Sequence, residues 1–216
     1  FIFDKVVEGQ GGLPLGAQQR LVGLWNGEIN SAVACWLVMK RGCPIIPLYF
    51  DNTPYTSKNM TKIAIENTRT LLDWAIGFPR RMYIVPNGQN LKEIVKKYPA
   101  HLTCLLCKRM KYKIAEKVAE MFRAEGIVTN ETIGTPESLT LHDLNLLSQA
   151  TKQYPIHRPL LGLETQEIED LAKKIGFPPS MAEKKKLCLV MSTKPKTTTK
   201  LQEIIEAEKK LNVEDM

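Results

Sequence analysis

The stretch Leu24-Trp25-Asn26-Gly27-Glu28-Ile29-Asn30-Ser31, LWNGEINS, joins a short apolar run to the start of a helical pattern. Leu21 to Trp25 reads as a buried strand. Ala32 to Lys40 carries Val33, Trp36 and Leu37 at helical spacing and closes at Arg41-Gly42. A loop between a strand and a helix N-terminus is a natural phosphate cradle, because backbone N–H groups and the helix dipole face an anion there. Glu28 stands where such an anion would sit, so the loop is open to three readings: a nucleotide site, an altered one, or a turn.

The same alternation continues outward. Pro44 to Phe50 reads as a second strand, Ser57 to Ile76 as a helix, Arg81 to Val85 as a strand and Leu91 to Lys97 as a short helix. In Cys104 to Glu125, Met110, Ile114, Val118 and Phe122 recur every four residues, opposite a polar face of Lys108, Lys111, Lys117 and Glu120. Ile127-Val128-Thr129 is a further strand, Leu139 to Thr151 a helix, and Pro155 to Gly162 an extended crossing. Thr165 to Ile175 is a helix stopped at Gly176, Leu187 to Met191 a short strand, and Leu201 to Leu211 a charged helix. Strands alternating with helices predict an α/β fold, Rossmann-like, with a parallel sheet covered by helices on both faces. The loops after Trp25, Phe50 and Thr129 are then expected on one rim, where ligands of such sheets bind. Residues 1–191 are expected to form the main domain, with 1–20 as a lead-in, 192–200 as a basic linker and 201–216 as a C-terminal helix.

The chain has 216 residues, 44% hydrophobic and 25% charged, with a net charge of +7. No apolar run is long enough for a membrane span. The basic balance favours polyanionic partners, although mildly basic domains that bind no nucleic acid are common. Five cysteines without dense spacing point to reduced, cytoplasmic thiols. Cys35 and Cys43 sit in apolar company and read as packing residues. Cys104 and Cys107 open the long helix, where its dipole together with Lys108 and Arg109 favours thiolate. Their spacing puts both sulfurs on one face. Lys40-Arg41, Arg80-Arg81, Lys108-Arg109, Lys173-Lys174 and Lys184-Lys185-Lys186 are candidate phosphate contacts. His142 and His157 stand alone and read as structural. No Ser-His-Asp arrangement, His-rich zinc spacing or Walker-type Gly-Lys-Ser/Thr is present.

Four stretches in order carry a resemblance: Gly11-Gly12-Leu13-Pro14-Leu15-Gly16 with Gln18-Gln19; the opening loop with Ser31 to Gly42; Cys104-Leu105-Leu106-Cys107-Lys108-Arg109-Met110 with Ile114 to Ala119; and His157-Arg158-Pro159-Leu160-Leu161-Gly162-Leu163 with Glu167-Ile168 and Ala172 to Gly176. The sequence resembles the tRNA 4-thiouridine synthetase family, tRNA sulfurtransferases also tied to thiamine biosynthesis, with a PP-loop adenine-nucleotide fold. It looks most like the archaeal branch, since no rhodanese domain follows. The resemblance implies an RNA-binding ferredoxin-like and THUMP region ahead of this domain in full-length members. It implies that ATP with Mg²⁺ adenylates O4 of a tRNA uridine and that a sulfur nucleophile then displaces AMP. Tested against the family's SGGxDS loop, Asn26 replaces the first Ser, Gly27 is kept, Glu28 replaces the second Gly, Asn30 replaces Asp, and Ser31 is kept. Simple N-capping by Asn30 and Ser31 is the plain alternative. In the second family element, Glu131, Gly134 and Thr140 survive while Pro136 and Glu137 intrude. The implied nucleotide-site residues are therefore Asn26, Gly27, Glu28, Asn30, Ser31, Glu131, Gly134 and Arg158. Arg158 either orients the rim or pairs with a carboxylate beneath it. For Cys104 and Cys107 the resemblance implies either persulfide transfer or, with Cys188 as third ligand, a labile iron–sulfur cluster. Two functions stay open: an active ATP-dependent tRNA sulfurtransferase, or a non-catalytic paralogue that binds RNA or protein. The sulfur donor, and the choice between monomer and homodimer, are not legible.

Overall fold

The computed structural model describes residues 4–57, 59–134, 139–177, 188 and 199–211. Its elements run β1 (Leu21–Trp25), α1 (Ile29–Met39), β2 (Ile45–Asp51), α2 (Asn59–Leu72), β3 (Tyr83–Pro86), α3 (Gly88–Lys97), α4 (Ala100–Phe122), β4 (Ile127–Val128), α5 (Leu141–Ser148), β5 (Ile156–His157), α6 (Thr165–Ile175) and α7 (Leu201–Lys210). The strands form one parallel sheet of order β3-β2-β1-β4-β5. The α/β expectation therefore holds. The order reverses between β1 and β4, which makes the carboxyl ends of those two strands the switch point.

Both sheet faces are covered. On one side Trp36, Val33, Ala64, Leu71 and Ile168 of α1, α2 and α6 pack into a single core. On the other, Leu91, Leu106, Met110, Leu147 and Ile204 of α3, α4, α5 and α7 form a second. Each of the buried Val, Leu, Ile and Met side chains among them contributes about 1.5–3 kcal/mol. Pro47 lies inside β2, an interior strand. It precedes Leu48, where pairing with β3 begins, so its missing N–H leaves no gap in that ladder.

One segment differs from the sequence reading, and a second lies almost wholly outside the described residues. The extended crossing contributes only Ile156–His157 to the sheet. Of the strand expected at Leu187 to Met191, only Cys188 is described, and it carries no strand assignment; the rest, like most of the 192–200 linker, lies outside the described residues.

The start of α3 is set by a close approach. A Cβ on Gly88 would stand 1.9 Å from the backbone oxygen of Thr53. Gly88→Ala is expected to cost about 2 kcal/mol of stability through displacement of the α3 entry. Chemical denaturation checks this, and an unchanged midpoint would refute it.

Candidate functional site

A cavity of about 300 Å³ opens at the carboxyl ends of β1, β2 and β4. Asn26, Asn52 and Asn130, one from each of the loops expected on a common rim, all line it.

The β1–α1 loop is shaped from within. Gly27 takes a φ of 84°, and a Cβ there would press on Ala64 at 3.2 Å, so glycine fits both the turn and the contact with α2. The Gly27 carbonyl accepts a 2.5 Å hydrogen bond from Nδ2 of Asn67, a wholly buried residue in the middle of α2. Glu28 is the N-cap residue, and its side chain makes no capping hydrogen bond to the helix among the described residues. The N-capping reading of Asn30 and Ser31 is thus overturned. Both lie inside the first turn, and the Ser31 hydroxyl donates back to the Glu28 carbonyl at 2.8 Å. Asn26 clasps Glu28 twice: its Oδ1 accepts from the Glu28 N–H at 3.0 Å, and its Nδ2 donates to the Glu28 carboxylate.

Beneath the rim, the carboxylate of Glu131 gathers a buried network. The Tyr112 hydroxyl donates to it at 2.5 Å and the Thr129 hydroxyl also donates; Arg158 Nε lies 3.4 Å away and Lys108 Nζ 3.8 Å. Burial foremost, then the Glu131 charge, pushes the Tyr112 pKa well above its ordinary value of 10.0. The second option for Arg158, pairing with a carboxylate, is the one realised. Its Nη2 is buried without a hydrogen-bond partner among the described residues.

Of the expected nucleotide-site residues, Asn26, Glu28, Asn30 and Glu131 line the cavity. Gly27 and Ser31 support the loop from behind. Arg158 is outside the lining and lies 3.4 Å from the Glu131 carboxylate. Gly134 has a φ of 78° and open space around it, outside the lining, and Thr135 to Ser138 lie outside the described residues.

The cysteines require correction. α4 begins at Ala100, so Cys104 and Cys107 stand past the exposed N–H groups of the first turn, where the dipole effect fades. Cys107 is buried, with Sγ 3.8 Å from Nδ2 of Asn87. That amide also donates to Asn52 Oδ1 at 2.6 Å, and Asn52 lines the cavity. Cys188 lines the cavity directly. Among the described residues no group of three His, Cys, Asp or Glu side chains is placed to hold a metal ion. Cys104, Cys107 and Cys188, all described, do not form such a group. Cys35, its thiol pushed to about 12 by burial, is a packing residue as expected.

The basic pairs also move. Arg109 is 3% exposed and salt-bridged to Glu208, so it contacts no external phosphate. Lys40-Arg41, Arg80-Arg81 and Lys173-Lys174 sit at helix ends or strand starts, which in this parallel topology is the pole opposite the cavity. Lys184 to Lys186 lie outside the described residues. Among the described residues, no helix is long and apolar enough to cross a membrane.

Sequence reasoning missed Asn67, Asn87 and the cavity role of Lys111. An asparagine inside a helix and one just after a strand are the signals that could have found the first two.

A parallel sheet with its order reversed at β1/β4, a glycine-turned loop feeding a helix N-terminus, and a cavity between them define an α/β domain of the nucleotide-binding class. The family model of the thiamine biosynthesis protein (ThiI) matches residues 16–213, and the chain belongs to that family. It is 34% identical over its full length to a probable tRNA sulfurtransferase of Methanosarcina mazei, covering 53% of that protein. It is 35% identical over 98% of its length to one of Caldanaerobacter subterraneus subsp. tengcongensis, covering 56% of it. The chain thus spans about half the length of these relatives. Its fold matches a 4-thiouridine synthetase, solved in complex with RNA and with bound ATP, at a TM-score of 0.87 and 32% identity, over 97% of this chain and 54% of that one.

Proposed function

We propose that this chain is the nucleotide-binding domain of an ATP-dependent tRNA sulfurtransferase and that its cavity holds ATP. The observation carrying this reading is the coincidence of the cavity, the Gly27 turn and the N-terminus of α1 at the switch point of the sheet. The fold match to an ATP-bound 4-thiouridine synthetase supports it. In the proposed reaction O4 of a tRNA uridine attacks the α-phosphorus of ATP and pyrophosphate leaves. A persulfide on Cys104 or Cys107, loaded by a sulfane-sulfur donor, bonds C4 through its terminal sulfur, and AMP leaves. The second thiol then attacks the remaining sulfur–sulfur bond. This releases 4-thiouridine and leaves a disulfide for a dithiol reductant. The chain's own contribution is positional: Asn67 holds the loop, and Asn87 links Cys107 to the cavity wall through Asn52.

A second reading is a non-catalytic RNA- or protein-binding module. The Asn26–Glu28 clasp favours it, because a carboxylate occupies the loop meant for polyphosphate. Calorimetric titration with ATP–Mg²⁺ decides. Low-micromolar binding by the wild type supports the enzyme. Binding seen only with Glu28→Gly plus Asn30→Asp supports the module. Two like charges ~4 Å apart repel by about 4 kcal/mol at an effective dielectric of 20, so the double variant is expected to bind at least tenfold more tightly.

A further inference from the structure

Asn87 is wholly buried at the N-cap of α3, a position where an asparagine side chain ordinarily accepts from the first helical N–H groups. It makes no such bond. Its amide is turned elsewhere: Nδ2 donates to Asn52 Oδ1 at 2.6 Å and also lies 3.8 Å from Cys107 Sγ. An amide nitrogen carries two N–H bonds, one for each of these partners. The Asn87 Oδ1 accepts from Asn90 Nδ2 at 3.5 Å, and its backbone N–H donates to the Asp51 carbonyl at 2.7 Å, so the group is held from both β2 and α3. Beyond it, Cys107 belongs to the apolar core that contains Ile94, Leu102 and Leu106. Asn52 lines the cavity and Cys107 does not. The three side chains therefore run in a line from the cavity wall to the sulfur.

We infer that Asn87 is a positioning residue for sulfur transfer: it aims the Cys107 sulfur at the Asn52 wall of the cavity and donates to the persulfide formed there. This rests on the sulfur-carrier reading above. In the loading step the Cys107 thiol and a donor persulfide, R–S–SH, give Cys107–S–SH and R–SH. The donor's sulfur–sulfur bond breaks as the new one forms, the Cys107 proton leaves on the donor thiol, and no electrons are gained or lost overall. A persulfide is more acidic than a thiol, so its terminal sulfur brings negative charge to the edge of an apolar core, where charge is costly without a donor. A neutral thiol is a weak acceptor, and 3.8 Å is a long contact for it. An anionic sulfur one bond further out draws the same N–H into a charge-assisted bond. A side chain that forgoes its capping bond for a neutral thiol gains little at rest, so the persulfide is the state it fits.

The test loads the folded chain with sulfur from inorganic polysulfide, blocks thiols and persulfides with iodoacetamide, and reads each cysteine by mass spectrometry. Asn87→Asp keeps the shape and removes both N–H bonds; Asn52 can turn its own amide to meet the new carboxylate. Asn87→Ser is uncharged, suits a helix N-cap and stops short of the sulfur. Denaturation midpoints confirm that each variant is folded. Both variants should lower the persulfide on Cys107 about tenfold, with that on Cys104, one turn earlier on α4, unchanged. An undiminished Cys107 persulfide in either variant overturns the assignment; a loss confined to Asn87→Asp reports charge repulsion rather than a missing donor. Parallel loss at Cys104 and Cys107 also overturns it, since that reports a disturbed α4. If Cys107 of the wild type takes up no sulfur, the sulfur-carrier reading itself fails, and the role of Asn87 falls with it.

Discussion

Replacing Arg109 by alanine will cost the fold about 3–5 kcal/mol, measured by chemical denaturation at neutral pH. Arg109 is buried in the middle of α4. Its Nε and Nη2 donate to the two carboxylate oxygens of Glu208 at 2.7 and 3.1 Å, and its Nη1 donates to the Leu146 carbonyl of α5. Lys113 adds a 2.9 Å bond to the same carboxylate, and the Tyr98 hydroxyl donates to the Ala207 carbonyl. One guanidinium thus joins three helices. Truncating it leaves the Glu208 carboxylate, 8% exposed, with Lys113 as its remaining partner, and the lost bidentate contact together with the desolvation it had offset dominates the loss. Arg109→Met with Glu208→Leu removes both charges and should recover most of the stability, because a buried pair is worth little against apolar side chains of similar size. Failure of that recovery would show that the packing of α7, rather than the ion pair, had been misjudged.

The same carboxylate carries a pH dependence. Burial pushes the Glu208 pKa up, but hydrogen bonds from Arg109 and Lys113 outweigh it and hold the value below the ordinary 4.5. A depressed folded-state pKa means the contribution is fully present above 4.5 and is lost as pH falls through the folded value. Acid should therefore loosen α7, and hydrogen exchange of residues 201–211 will report it.

Much of the fold was legible because its signals are local. The repeat of Met110, Ile114, Val118 and Phe122 identified α4, and Gly176, with a φ of 100°, stopped α6 where expected. The start of α4 was not legible, since Pro99 caps it without any side-chain bond and the apolar period begins only later. The Arg109–Glu208 pair joins residues 99 positions apart, a separation at which no spacing rule operates. A basic dipeptide such as Lys108-Arg109 reads as surface. The helix sends its two members to different fates, one into the core and one to the cavity. The candidate site was legible in its loops, because strand ends converge in any parallel sheet. It was not legible in its far wall, which depends on how far α4 overhangs.

Replacing Glu131 by alanine should cost a similar 3–5 kcal/mol, and the alkaline limb of the stability profile should separate its two causes. The first is the guanidinium of Arg158, 13% exposed, which would lose its counter-charge. The second is the tyrosine beneath it. In the wild type, burial and the Glu131 charge raise the Tyr112 pKa, so the folded state holds the phenol neutral. A raised folded-state pKa gives a contribution complete below 10.0 and lost as pH climbs toward the folded value, because only the unfolded chain ionises there. Glu131→Gln keeps the shape, removes the charge and leaves one acceptor oxygen where the carboxylate had two, so burial becomes the main force on Tyr112. Its stability should be lower than that of the wild type at neutral pH yet fall less steeply above pH 10. Denaturation midpoints at neutral and alkaline pH measure both quantities. An alkaline slope equal to that of the wild type would mean that Glu131 does not govern Tyr112. An unchanged neutral midpoint would mean that Arg158 finds another partner. With both effects present, Glu131 is the carboxylate that holds Arg158 and Tyr112 together beneath the cavity it lines.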